Sequence, residues 1–556
     1  MIQSEFFVSP TGNDKNPGTF EFPFASLQKA RDTIRTININ MKGDILVNLR
    51  AGVYKLSVPF LLTREDSGTN GFSIIYQSYR NEIPIISGGV EINGWKIHDI
   101  KKNIYRTKIA NNLDTRQLYV NGIRAIRARS DDAVGWKEDS TGYVCPLNIQ
   151  TWKNISAIEV VSRKDWKTRR GPITKVEGTQ VVMAIPYWKN LQSRYQTPPS
   201  WIENAYELLD NEGEWYFDKT HRILCYKPRV GENIKDAKVI FPKLETLVQG
   251  SNVSNIQFKG ITFSYTTWLL PNSTSGYPGN QAGVLNFGQI PGNIKFDHSF
   301  NLKFENNTFS HLGVSALELN IGCNKNIIYN NTFYDISGSA ISIGNVINPK
   351  PTEQDLVSDN IISNNFIRKA ALEYEGCLGI FVGYTEHTTI SHNEIRNLPY
   401  TGISMGWGWN NKIIAGKDNE ISYNLIDSVM MVLHDGGGIY TLSSQPGTQI
   451  HDNYISNCFN SNGALYLDEG SSNMNWYHNV VQNSQQWLLM WTPSILNDSI
   501  TNNFSDNQIQ ITKGTNCIVQ NNVFVKNNNW PAEALNIMKN AGRIIIPIKK
   551  ITLSSY

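Results

Sequence analysis

The chain has little charge: Asp, Glu, Lys and Arg make up 18% of its 556 residues and leave a net charge of +3. So small a surplus, spread evenly, excludes a basic face built for nucleic acid or an anionic membrane surface. No apolar run approaches the roughly 20 residues of a membrane-spanning helix. Cysteine is scarce too. Cys145, Cys225, Cys323, Cys377, Cys458 and Cys517 lie far apart, with no CxxC pair and no His spacing of a zinc site, so buried thiols are expected and neither metal nor cofactor is implied. The three glycines Gly436 to Gly438 lack the Lys-Ser/Thr and helix of a phosphate loop. No signal segment precedes Phe6-Phe-Val-Ser-Pro10, which leads to the expectation of a cytoplasmic or a processed secreted protein.

What the chain has instead is a repeated phrase, Asn followed two residues later by Ile, Phe or Val. It stands at Asn307, Asn331, Asn365, Asn393, Asn424, Asn453, Asn479 and Asn522, with successive spacings of 24, 34, 28, 31, 29 and 26 residues up to Asn479. Short runs of β-branched and aromatic residues in a unit of that length predict a solenoid of strands, an all-β right-handed parallel β-helix. Each coil lays its strands about 4.8 Å above the last. The recurring Asn is expected in a left-handed turn, bonded to its counterpart in the next coil.

Four segments follow from the pattern. Residues 1–120 form a cap and first coils, with a helix whose buried face is Leu27, Ala30 and Ile34. In 121–242 the phrase disappears and hairpin signals replace it, as in Glu214 to Phe217 and Ile223 to Tyr226, predicting a β-rich insertion. Residues 243–530 form the main solenoid. In 531–556 a closing helix runs from Pro531 to Ala541, followed by a tail. A loop from Tyr265 to Gly283, rich in Pro, Asn, Ser and Gly, is long enough to be functional.

Strand alternation sends Ile341, Ile380, Ile403, Ile439 and Leu465 inward and Ser342, Phe381, Ser404, Tyr440 and Tyr466 outward. Acids gather around that outer face. Glu373 and Glu375 precede one strand, His434-Asp435-Gly-Gly-Gly438 precedes another, and Asp468-Glu469-Gly470 ends a third. The triple glycine either presents an acid on a sharp turn or relieves a crowded corner. Gly406-Trp407-Gly408-Trp409 is either a sugar-stacking platform or a cover for a coil edge. With 14 Trp and 24 Tyr, the chain has more aromatic surface than packing alone requires.

Two carboxylates flanking a groove are the minimum equipment for glycoside hydrolysis. Asp435 and Asp468 are the candidate catalytic pair, on consecutive coils. Glu373, Trp407, Trp409, His434, Tyr440, Tyr466 and Glu469 are the candidate substrate-binding residues. An extended chain would hold the two aspartates too far apart, so either the Asp435 turn folds back over the groove or the partner is another acid, with Glu373 the first substitute.

The stretches Phe7 to Gly12, Pro23 to Leu27, Arg116 to Gly122, Glu203 to Leu209, Gly376 to Ile380, Leu398 to Ile403, Gly406 to Trp409, Asp435 to Tyr440 and Tyr466 to Ser471 together resemble the β-helix proteins of glycoside hydrolase family 141. That resemblance implies fucosidase or xylanase activity on a complex, plant-type glycan, with two aspartates as the catalytic pair and a carbohydrate as partner. A polysaccharide lyase would need a Lys or Arg base near an acidic calcium site, and a noncatalytic glycan-binding solenoid would need aromatics without paired acids.

Overall fold

The computed structural model describes residues 1–191, 198–285 and 288–544. Three parallel sheets of 13, 12 and 11 strands run side by side along one axis, the right-handed β-helix expected. One coil shows the plan. A first-sheet strand, Glu420–Ser422, turns at Tyr423 and Asn424 into a second-sheet strand, Leu425–Asp427, and a longer loop leads to the third-sheet strand, Ile439–Thr441. Third-sheet register stacks Ile341, Ile380, Ile403, Ile439 and Leu465 in one inward column. All five are fully buried in the main apolar core. Phe258, Phe304, Phe309 and Phe333 continue that core as stacked rings.

The Asn column holds the corner between the first and second sheets. Asn393 donates its backbone N–H and its side-chain amide to the Asn424 Oδ1, each at 3.0 Å, and Asn424 repeats this to Asn453 at 2.9 Å. The left-handed residue is not the ladder Asn, as the sequence led us to expect, but the residue before it. Asn306, Asn330, Asn364, His392, Tyr423, Asp452, His478, Asn502 and Asn521 all have φ between 53° and 59°. The division of labour is physical: the left-handed residue turns the chain, and the next side chain is thereby aimed inward, where its amide meets backbone groups that water cannot reach. Asn503 is a further rung, which the phrase missed because Ser505 follows it where an apolar residue was sought.

At the N-terminal end the helix Leu27–Ile34, capped by Ser26 accepting from the Lys29 N–H at 3.1 Å, lays Leu27, Ala30 and Ile34 on the solenoid core. Strands outside the solenoid begin at Gly89–Ile92 and Lys96–Asp99, earlier than the Asn121 boundary expected, and continue to Val239–Pro242. The first of them pairs antiparallel with the last, so the chain leaves and re-enters the solenoid at one place.

Buried ions join these flanking sheets to the solenoid. The fully buried Arg116 grips Glu159 through Nη1 and Nη2 at 2.7 and 2.9 Å and Glu373 through Nε at 3.0 Å. Arg127 bridges Glu159 and Glu203 at 3.0 Å each, and Arg170 reaches Glu203 at 2.6 Å. Burial alone would raise the Glu203 carboxyl, but Arg170, Arg127 and Arg116 outweigh it and hold it well below the usual range.

The helix Ala532–Asn540 does not close the C-terminal end. It lies on the flank, with Ala534 and Ile537 packed on Val480 and Phe504 of the second sheet. From there the chain runs back across the coils. The Gly542 N–H donates to the Tyr423 carbonyl at 2.7 Å, Arg543 reaches Asn330 at 2.9 Å and the Ile544 N–H donates to Asn364 at 2.6 Å. The tail beyond Ile544 lies outside the described residues. Ile511, Ile518, Val523 and Phe524 of the last coil are exposed by 37–51%.

Candidate active site

The outward column of the third sheet runs Glu318, Ser342, Phe381, Ser404, Tyr440, Tyr466, Leu489 and Ile511. From Tyr440 onward it floors a cleft of about 1120 Å³, walled by loops from both edges of the sheet. The cleft is a little larger than the roughly 300–1,000 Å³ usual for ligand sites. Tyr440, Leu442, Tyr466 and Leu489 form an apolar cluster separate from the solenoid core, which keeps this floor rigid.

Asp435 stands on the loop before Ile439–Thr441. Its own φ is +56°, and the Tyr400 hydroxyl donates to its carbonyl at 2.7 Å. A side chain on Gly436 would strike Thr401 and the Tyr400 ring, and one on Gly437 the Gly463 carbonyl, all within 2.6 Å. The glycines therefore serve both purposes weighed from the sequence: the corner is crowded, and the crowding lets the turn fold back over the groove. The Asp435 Oδ1 accepts from the Tyr466 hydroxyl at 2.9 Å and from the Asn462 amide at 3.1 Å. Tyr466 belongs to the next coil, so this turn carries Asp435 over the outward face of that coil.

Asp468 directly follows the strand Leu465–Leu467 and is 8% exposed. Its Oδ2 accepts from the Tyr440 hydroxyl and its Oδ1 from the Trp491 indole N–H at 2.6 Å. Tyr440 and Tyr466 pack edge to face, ring centres 4.8 Å apart, so two crossed tyrosine–aspartate bonds tie the coils together. The acids differ in surroundings. Burial raises the Asp435 carboxyl above the usual range, the Asp468 and Asp165 charges add to this, and the Tyr466 and Asn462 hydrogen bonds oppose it. The Asp435 Oδ2 accepts no hydrogen bond from the described residues, whereas each Asp468 oxygen accepts one.

Trp407 and Trp409 line one wall, rings 5.1 Å apart. Their loop is held by the Ser443 hydroxyl, 2.8 Å from both the Trp407 and Gly408 carbonyls, and it needs Gly406 and Gly408 at φ of 87° and 95°. Glu469 lines the cleft beside them.

Two expected contacts fall elsewhere. Glu373 is bound by Arg116 and by the Gln117 amide at 2.6 Å in the buried ion cluster, so it holds the insertion rather than substrate. His434 is exposed and does not line the cleft; its backbone N–H donates to the Asp165 carbonyl at 2.8 Å.

That last bond marks what the sequence did not reveal. Asp165 and Trp166 form the tip of the hairpin between Glu159–Lys164 and Lys167–Glu177, and Trp166 lines the cleft. Asn462, Gln485, Gln486 and Trp491 line it as well, as do Asn280 and Gln281 of the long loop. The length of that loop was the available signal for the last two. Trp491 lies 23 residues after Asp468, one coil on, and stacking coils would have found it. Among the described residues no group of three or more His, Cys, Asp or Glu could hold a metal ion, and no helix is long and apolar enough to cross a membrane.

No family profile matches the sequence, and no curated protein matches it significantly. Among solved structures, one described as a glycoside hydrolase is similar with a TM-score of 0.82 and 26% identity, covering 98% of this chain and 99% of that one. The structure of XylC with xylose is similar in fold, with a TM-score of 0.51 and 14% identity over 93% of this chain and 86% of that one.

Proposed function

We propose that the chain is a glycoside hydrolase, with Asp435 as general acid and Asp468 as its ionised partner. The observation that carries this is one cleft holding two carboxyl groups with different partners, a half-buried Asp435 whose Oδ2 accepts no hydrogen bond from the described residues and a buried Asp468 with a donor on each oxygen. A raised carboxyl such as Asp435 is suited to give a proton, with the second carboxyl beside it as partner. Asp435 gives its proton to the glycosidic oxygen as the bond from that oxygen to the anomeric carbon breaks. Asp468 supplies an electron pair, either to that carbon or to a proton of the attacking water. Water ends with its oxygen on the anomeric carbon, and the proton left over returns to the carboxylates. Aromatic walls from Trp166, Trp407 and Trp409 suit the C–H faces of a sugar ring, and the extended likeness to a solved glycoside hydrolase supports the same reaction. The lining residues include no Lys or Arg to serve as a lyase base.

The finer expectation, fucosidase or xylanase action on a plant-type glycan, is carried by the family 141 resemblance. A panel of 4-nitrophenyl glycosides, including the α-L-fucoside and β-D-xyloside, and plant polysaccharides identifies the sugar. Asp435→Asn and Asp468→Asn should each lower turnover of the natural glycan by about 10²- to 10⁴-fold while the circular dichroism spectrum is kept. Wild-type turnover by either variant removes that residue from the mechanism.

A further inference from the structure

The cleft has unequal ends. Toward the N-terminus the outward column is covered: Glu318, Ser342, Phe381 and Ser404 are at most 5% exposed and none lines the cleft. The cover is built. The Gln289 amide donates to the Ser342 hydroxyl, Trp407 lies edge-on over Phe381 with ring centres 6.3 Å apart, and Gln281, Val284 and Leu285 form the adjoining wall. Toward the C-terminus the column opens. Leu489 is 4% exposed, but Ile511, on the last third-sheet strand, is 37% exposed and Ile509 beside it 56%. With the amide side chains of Gln485 and Gln486 they continue the floor and wall of the same cleft to the end of the solenoid.

We infer that the enzyme acts on glycan ends, the terminal sugar entering the closed end and the rest of the glycan lying across Gln485, Gln486, Ile509 and Ile511. The inference rests on the hydrolase reading. Its chemistry is that of a sugar acceptor site: exposed apolar side chains for the C–H faces of the departing glycan, and amides for its hydroxyls. Continuity with Asp435 and Asp468 fixes the occupant, because a chain held at the closed end can leave the cleft only over these coils. An enzyme cutting within chains would need both ends open.

Two measurements test it. An oligosaccharide of the sugar cleaved by the wild type, six units long and labelled at its reducing end, should release one product of a single size from the first minutes. Mid-length fragments at early times would overturn end-specific action. The double substitution Ile511→Ala with Gln485→Ala should lower kcat/KM on that oligosaccharide roughly 10-fold or more relative to the matching 4-nitrophenyl monoglycoside, as expected for a lost apolar contact. An equal effect on both substrates overturns the acceptor site. If the wild type cleaves no glycoside, calorimetric titration with xylohexaose and a fucosylated oligosaccharide separates the two ideas. Binding weakened by the double substitution keeps the acceptor site and sinks hydrolysis, and binding left intact, or none at all, sinks the acceptor site too.

Discussion

That Asp435 and Asp468 would share one cleft was legible because each follows or precedes a strand that the column of inward residues aligns. Their division of roles was not, since it depends on Tyr440, Tyr466 and Trp491 from neighbouring coils. The roles separate experimentally by leaving group. 4-Nitrophenolate departs without a proton, so Asp435→Asn should lose far less activity on a 4-nitrophenyl glycoside than on the natural glycan, whereas Asp468→Asn should lose activity on both. Comparing the two ratios of kcat/KM checks it. The pH profile carries a sign as well. In the proposed mechanism Asp435 acts in its protonated form, so activity should fall as pH rises through the raised pKa of this group. The Tyr466 hydrogen bond favours the charged form, so Tyr466→Phe should raise that pKa further and move the basic limb of kcat/KM to higher pH. A limb that moves down or stays still would assign it to another group.

At the level of coils, the repeat was readable because a ladder of identical side chains requires identical residues at fixed register. What it could not convey is which of two adjacent residues turns the corner, or that a rung survives at Asn503 when its apolar neighbour changes. Asn424→Ala removes the acceptor of two Asn393 donors and the donor to the Ile390 carbonyl at 2.8 Å. Leaving buried groups unpaired costs about 1–3 kcal/mol each, so a loss of roughly 3 kcal/mol or more is expected in urea unfolding.

A second column, through Asn326, Asn360 and Asn419, ends in an acid. Asp498 accepts the Met474 N–H at 2.8 Å through Oδ1, while its buried Oδ2 has no partner. Burial pushes its carboxyl up to about 7. Its folded pKa lies above the unfolded one, so its favourable contribution is complete below about pH 4 and is lost as pH rises through 7. Asp498→Asn keeps the acceptor and supplies an amide donor like the other rungs. It should stabilise the protein at pH 8, by about 1–4 kcal/mol at most, and flatten the fall in stability between about pH 4 and 7. A thermal unfolding series across that range measures it.

For the whole molecule, the sequence announced an insertion but not its use. Arg116, Glu203 and Glu373 lie far apart in the chain, and only the fold brings them into one buried cluster. Because that cluster seats the sheets whose hairpin carries Trp166, Arg116→Met should cost about 3–5 kcal/mol, as stranded buried acids do. It should also raise KM as the Trp166 wall loosens. Limited proteolysis should then cut first between residues 89 and 242.

The segment from Trp530 to Ile544 gives the molecule a property that stacking alone does not. In a solenoid each coil touches only its neighbours, so unfolding can start at an end and advance one coil at a time. Here a single strap, from Ala534 and Ile537 on the Val480 and Phe504 coils to Ile544 on the Asn364 coil, spans the coils that carry Asp435 and Asp468. The coils between Asn364 and Phe504 cannot peel away from it independently, so those that carry Asp435 and Asp468 unravel as one unit or not at all. The double substitution Ala534→Asp with Ile537→Asp should make amide exchange in the coils after Asp468 faster than in those before Asn364. The unstrapped array would behave as a row of separable links, and the native one as a cable under a single clamp.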